Sequence, residues 1–291
     1  MTWLAISLVL TSAVIHATWN LLAHSKKADG LVFLRLSLLT GLVGLLPALF
    51  AEYKSAFPLT VWGLLILTGL FEAVYYLGLT MGYRHGNFSV VYPVARALPI
   101  LFLSIVDVSR GRTPSLLGWL GILLVVIGCV LAPLQSLRNV KLTDYWNQAT
   151  VWILVIMFAT VGYTTVDKFA AELIPTGAET SARYIIWQSL LTIPFLGIAL
   201  KCMGEPISKQ KILMDWKGTT IYASFVFGSY WLMLWAYQLS PYVSYLSALR
   251  QFSIVLGVAY ATVVFREPSP ALRISAAILI TLGMLCISQT S

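Results

Sequence analysis

Apolar residues fall in blocks of about twenty along almost the whole chain, separated by short polar stretches. A block of that length crosses the roughly 30 Å hydrocarbon core of a bilayer as one helix. Ten such spans are predicted, at about 3–22, 31–51, 60–82, 87–108, 115–134, 148–168, 180–200, 218–239, 241–264 and 269–289. Strands of a membrane barrel would instead alternate apolar and polar residues over short segments, a pattern these blocks lack. The chain therefore reads as an all-α integral membrane protein with ten transmembrane helices.

Composition agrees. Of 291 residues, 59% are hydrophobic and only 10% charged, with a mean hydropathy of +0.84, which excludes a soluble domain of this length. The segment from Trp3 to Leu22 lacks a basic leader and runs straight into a second span, so it is expected to be retained rather than cleaved. Cys129, Cys202 and Cys286 have no metal or redox spacing and read as small apolar residues. No cofactor or metal is expected. The net charge of +8 sits mostly in loops and juxtamembrane ends, where it reports membrane topology rather than a nucleic-acid partner.

The pattern also repeats within the chain. SVVYPVARALPILFLSIVDVSRGRTPS, from Ser89, aligns without a gap on VSYLSALRQFSIVLGVAYATVVFREPS, from Val243, setting Arg96 on Arg250 and Pro114 on Pro268. At the same offset Tyr76 falls on Tyr230 and Tyr83 on Tyr237, and HATWN (16–20) lies over YTTVD (163–167), with Asn20 on Asp167. These matches keep their order in both halves, so the prediction is two five-helix repeats, 1–135 and 148–291, joined by a polar linker at 136–147. Five is odd, so the second repeat starts on the opposite side of the membrane. Inverted repeats with a site near the midplane, worked by alternating access, follow.

On these features the chain resembles the drug/metabolite transporter superfamily, EamA type. The resemblance rests on ten spans in two repeats, the pair Trp19 and Asn20 near the end of the first span, the pair Asp167 and Lys168 at the end of the sixth, and FREPSPALRISAAILITLGMLCIS at the C-terminus. It departs from the usual Gly-Glu before the last span, here Arg266-Glu267, and before the fifth span, here Gly111-Arg112-Thr113. The resemblance implies a coupling or gating role for Asn20, Asp167 and Lys168; span-end capping and snorkelling also account for them.

An arginine at a helix centre costs about 2.5 to 3.5 kcal/mol on insertion scales, so Arg96 and Arg250 are expected to face the bundle interior or a wet cavity. Pro93 and Pro99 around Arg96 lack the N–H groups that would hold the carbonyls of Ser89 and Ala95, which suits a cavity wall. The guanidinium fork matches carboxylate, phosphate or phosphonate oxygens. The alternative is that protein neutralises each arginine, Glu72 for instance. Glu72 shares a helix face with Tyr75, Tyr76, Leu79 and Tyr83. It is read as a contact for a substrate amino group, as a proton carrier, or as half of an internal ion pair. Tyr230, Trp231, Trp235, Tyr237 and Gln238 form a matching aromatic strip without the acid, for substrate contact or for packing. His16 lies within the first span, for proton coupling or as a neutral hydrogen-bonded histidine. Gly78, Gly82, Gly118, Gly121 and Gly128 are assigned to close helix packing.

The function expected is a secondary transporter of small polar metabolites (amino acids, organic anions, organophosphates or phosphonates) in the cytoplasmic (inner) membrane, with proton coupling as one option. No G-x-x-x-x-G-K-[ST] loop is present, so a gradient must supply the energy. A passive channel, or an intramembrane enzyme acting on lipid, is the alternative; the spans offer the enzyme only the scattered acids Glu72, Asp107 and Asp167. The expected partners are a small-molecule substrate and the lipid bilayer, and a homodimer is allowed. Lys and Arg concentrate in the odd-numbered loops, against Lys54, Arg110 and Arg112 on the other side, so the positive-inside rule places both termini outside. The family resemblance implies cytoplasmic termini instead.

Overall fold

The structure, a computed structural model, describes residues 1–23, 30–85, 88–132, 148–208, 212, 216–263 and 270–290. Among them every regular element is a helix: α1 (Trp3–Ala23), α2 (Gly30–Lys54), α3 (Leu59–His85), α4 (Phe88–Ser109), α5 (Leu116–Leu131), α6 (Gln148–Leu173), α7 (Ala178–Cys202), α8 (Trp216–Leu239), α9 (Val243–Leu249), α10 (Phe252–Val263) and α11 (Pro270–Ser288). Each of the ten predicted spans is occupied by a helix, the ninth by two. Among the described residues five segments, Gly30–Lys54, Leu59–Gly82, Thr150–Leu173, Ala178–Cys202 and Ala271–Ser288, are long and apolar enough to cross a membrane. Leu42, Val43 and Leu46 of α2 are 59%, 72% and 77% exposed. An outward apolar face of that kind has no place in water and suits lipid.

Local chemistry sets the ends. Ser115 caps α5 by accepting a hydrogen bond from the Gly118 N–H at 3.1 Å. The turn from α2 to α3 is tied by Glu52, which accepts from the Phe57 N–H at 2.6 Å, and by Arg183 of α7, which donates to the Ser55 carbonyl at 2.7 Å and stacks 3.7 Å over the Phe57 ring. Asp107 at the end of α4 is fully buried and caps α9 from another helix. It accepts from the N–H groups of Val243 and Ser244, at 3.1 and 2.9 Å, and from the Ser244 hydroxyl at 2.5 Å.

The helices pack with α3 against α6 and α7, α8 against α1 and α2, α2 against α7, and α5 against α11. Glycine makes the last contact possible: a Cβ at Gly283 would stand 2.5 Å from the Gly121 carbonyl oxygen, and one at Gly128 would stand 2.8 Å from that of Ala276. Backbones approach this closely only where side chains are absent. The ninth span departs from the expected single helix. It breaks at Arg250 and Gln251, where the hydrogen bonds tighten to Gln251 N–H to Ala248 and Ile254 N–H to Gln251. The fourth span, with Pro93 and Pro99, is continuous from Phe88 to Ser109.

Candidate functional site

Between the two halves of the chain lies a cavity of about 70 Å3. Its polar wall comprises His16 of α1, Ser37 and Thr40 of α2, Glu72, Tyr75 and Tyr76 of α3, Tyr163 of α6, Ser189 of α7, Ser229 and Tyr230 of α8, and Arg250 at the break in the ninth span. Glu72 and Tyr76, which share a helical spacing in the sequence, line this cavity together.

Glu72 accepts from the Tyr76 hydroxyl at 2.8 Å and from the Thr192 hydroxyl at 3.3 Å. Arg250 places a guanidinium nitrogen 3.5 Å from the Ser229 hydroxyl and its central carbon 5.8 Å from the Tyr230 ring centre, and its buried Nε has no hydrogen-bond partner. Among the described residues neither Glu72 nor Arg250 has an ion-pair partner. The cavity thus holds an acid, Glu72, both of whose oxygens accept hydrogen bonds, and a guanidinium, Arg250, whose donors are satisfied only in part. Tyr163 stands between them and the rest of the aromatic wall, edge-on to Tyr75 at 5.5 Å and to Tyr230 at 6.0 Å.

Asp167 lies behind Tyr230, fully buried. It accepts hydrogen bonds from the hydroxyls of Tyr184, at 2.9 Å, and Tyr230, and from the Gln188 amide at 3.3 Å. The same amide also donates to Thr68 at 3.0 Å. Capping or snorkelling at a span end does not describe this carboxyl, because α6 continues six residues past it to Leu173. Glu72 and Asp167, scattered acids in the sequence, are joined through α7: Gln188 reaches Asp167 and Thr192, one turn on, reaches Glu72.

Lys168 points the other way. Its ammonium donates to the carbonyls of Tyr237 and Ser240, both at 2.5 Å, and pairs with Glu172 at 2.9 Å. Glu172 also receives Arg110 and, at 2.6 Å, Arg112, the latter reaching the Pro241 carbonyl at 2.9 Å. This cluster ties together the ends of α4, α6 and α8. The remaining predicted residues divide. Tyr237 is buried and meets Lys168 through its carbonyl, and Trp231 donates its indole N–H to the Ala178 carbonyl at 2.7 Å; neither lines the cavity. The side chains of Trp19, Asn20, Tyr83 and Arg96 lie outside the described residues.

The sequence reading missed Tyr163, Gln188, Thr192, Arg110, Arg112 and Glu172. Only Glu172 carried a local signal, the i,i+4 spacing from Lys168. A model of the EamA-like transporter family matches residues 3–133. Comparison with curated proteins gives no match. Among solved structures, one crystal structure of a protein superposes with a TM-score of 0.67 at 15% identity, covering 98% of this chain and 97% of the other, and shares the fold.

Proposed function

We infer that the chain, whose residues 3–133 match a model of the EamA-like transporter family, is a secondary transporter of the drug/metabolite type working by alternating access in the cytoplasmic membrane. Its substrates are small polar metabolites with an anionic group: amino acids, organic anions, organophosphates or phosphonates. The observation that carries this reading is Arg250, set at a helix break against a cavity and without a carboxylate partner among the described residues. Broken helices at membrane depth are where transporters place substrate sites, since freed backbone is tolerated only along a cavity or against protein.

Ten spans in two inverted five-helix repeats fit the packing. Exchanging each helix of the first half for its counterpart in the second turns the α3–α6 contact into α8–α1 and the α3–α7 contact into α8–α2, while α2–α7 and α5–α11 map onto themselves. All of these contacts are present. His16 and Tyr163, matched in the two halves, both line the cavity. Asp167, linked to the cavity through Tyr230, is assigned to coupling. Lys168 and Glu172 are assigned to a gate where the ends of α4, α6 and α8 meet.

The test is thermal unfolding of the detergent-purified protein against amino acids, carboxylates, phosphate esters and phosphonates, for wild type, Arg96→Gln and Arg250→Gln. A ligand at a hundredfold excess over Kd stabilises by about 2.7 kcal/mol. Anions are expected to stabilise the wild type and to lose that effect in a folded Arg250→Gln variant. An anion response that survives in Arg250→Gln, or stabilisation by cations and neutral compounds alone, overturns the reading.

A further inference from the structure

We propose that Arg110, Arg112 and Lys168 form a second oxyanion site, where the ends of α4, α6 and α8 meet, which the chain's own Glu172 carboxylate occupies and blocks. The Glu172 carboxylate already behaves as a bound ligand would: Arg112 at 2.6 Å and Lys168 at 2.9 Å hold one oxygen, and Arg110 holds the other. Three cations face two acids, Glu172 and, beside Arg110, the buried Asp107, so one positive charge is left unmatched among the cations. A dianionic oxyanion such as a phosphate balances them better than a carboxylate does.

Each cation keeps an anchor that is not Glu172. Lys168, with a side chain only 3% exposed, is fixed by the carbonyls of Tyr237 and Ser240. Arg112 is fixed by the Pro241 carbonyl, and Arg110 stacks 4.3 Å over the Phe169 ring. The tripod therefore stays assembled when the carboxylate swings out, and a site built before its ligand arrives loses little in ordering itself. Arg112 and Glu172 are 30% and 28% exposed in their side chains, so the carboxylate has a way out and an anion a way in. Lys168 adjoins Asp167 in sequence, and Tyr230 joins Asp167 to the cavity. In a transporter the tripod would serve as a second anion station, outside the cavity that Arg250 lines. That role rests on the transport reading; the oxyanion chemistry of the tripod does not.

Inorganic phosphate is the probe, with acetate as the monoanion and chloride as the salt control, titrated by thermal unfolding in detergent against wild type and Glu172→Ala. Emptying the site is expected to tighten phosphate binding by about tenfold or more, equivalent to about 1.4 kcal/mol. Acetate is expected to respond less and chloride not at all, and adding Arg112→Gln to Glu172→Ala should abolish the phosphate effect. If Glu172→Ala does not fold, the neutral isostere Glu172→Gln takes its place. Phosphate affinity equal to wild type in the folded variant overturns the proposal. The phosphate of a lipid headgroup offers the same chemistry, so the series is repeated in nanodiscs with and without phosphatidylglycerol. A response to that lipid but not to phosphate overturns the substrate role and assigns the tripod to lipid. Failure of the Arg250 panel with a positive result here leaves an oxyanion site that is independent of the cavity.

Discussion

Lys168 shows how one residue can hold a membrane bundle. Its buried ammonium meets two carbonyls at the end of α8 and a carboxylate on its own helix, so all three of its donors are used. Lys168→Met keeps the length and apolar stem of the side chain but leaves those carbonyls without a donor. Each buried polar group so orphaned costs about 1–3 kcal/mol, and a clear fall in the midpoint of thermal unfolding is expected; an unchanged midpoint would show that the carbonyls find other donors. Asp107 is the converse case. Asp107→Ala removes the acceptor for the N–H groups of Val243 and Ser244 at the start of α9, and a loss of similar size is expected in the same measurement. Neither role was legible in the sequence, where Lys168 reads as a span-end lysine and Asp107 as a stray acid. The inward face of α3 was legible, because Glu72 and Tyr76 follow a helical period within one segment. The link from Glu72 to Asp167 runs through two residues of a third helix, Gln188 and Thr192, and no local period encodes such a path.

At the scale of helices, hydropathy placed the helices of all ten predicted blocks to within a few residues, because the bilayer imposes a length that any apolar block must satisfy. It failed inside the spans. Proline marked the fourth span for an opened backbone, yet α4 runs through both prolines, while the break falls in the ninth span at Arg250 and Gln251, which carry no backbone signature. The break is fixed from outside, by Asp107 holding the start of α9 and Arg250 facing the cavity. The glycine assignment fared better for the α5–α11 contact. Gly283→Ala places a methyl 2.5 Å from the Gly121 carbonyl oxygen and 2.9 Å from the Val125 nitrogen, both backbone atoms that cannot turn aside. Forcing the helices apart is expected to cost about 1–3 kcal/mol. Gly63→Ala, where nothing lies within 4 Å of the new methyl, should leave the unfolding midpoint unchanged or slightly raised; equal losses at both sites would contradict the packing.

At the scale of the whole molecule, alternating access as proposed requires the end tied together by Glu172 to open in a second state. Ser240 reports on that opening, since it is 2% exposed and its carbonyl is held by Lys168. Ser240→Cys, in a chain with Cys202→Ser and Cys286→Ala, is to be labelled with a membrane-impermeant maleimide added from the side where α6 ends. Labelling is expected to be slow with Glu172 intact. Glu172→Gln removes the carboxylate that bridges Arg110 and Arg112, beyond α4, to Lys168 of α6, while each cation keeps its own anchor. A shift of only 1.4 kcal/mol multiplies the open fraction about tenfold, and labelling at Ser240→Cys should accelerate accordingly. Cys129, buried in α5 and kept in the chain, separates gating from unfolding. If it stays unlabelled while the cysteine at 240 reacts faster, the end has opened as a gate. If both react faster, the variant has loosened the whole bundle, and if neither does, the Glu172 cluster is a fixed clasp and opening at that end must be sought elsewhere.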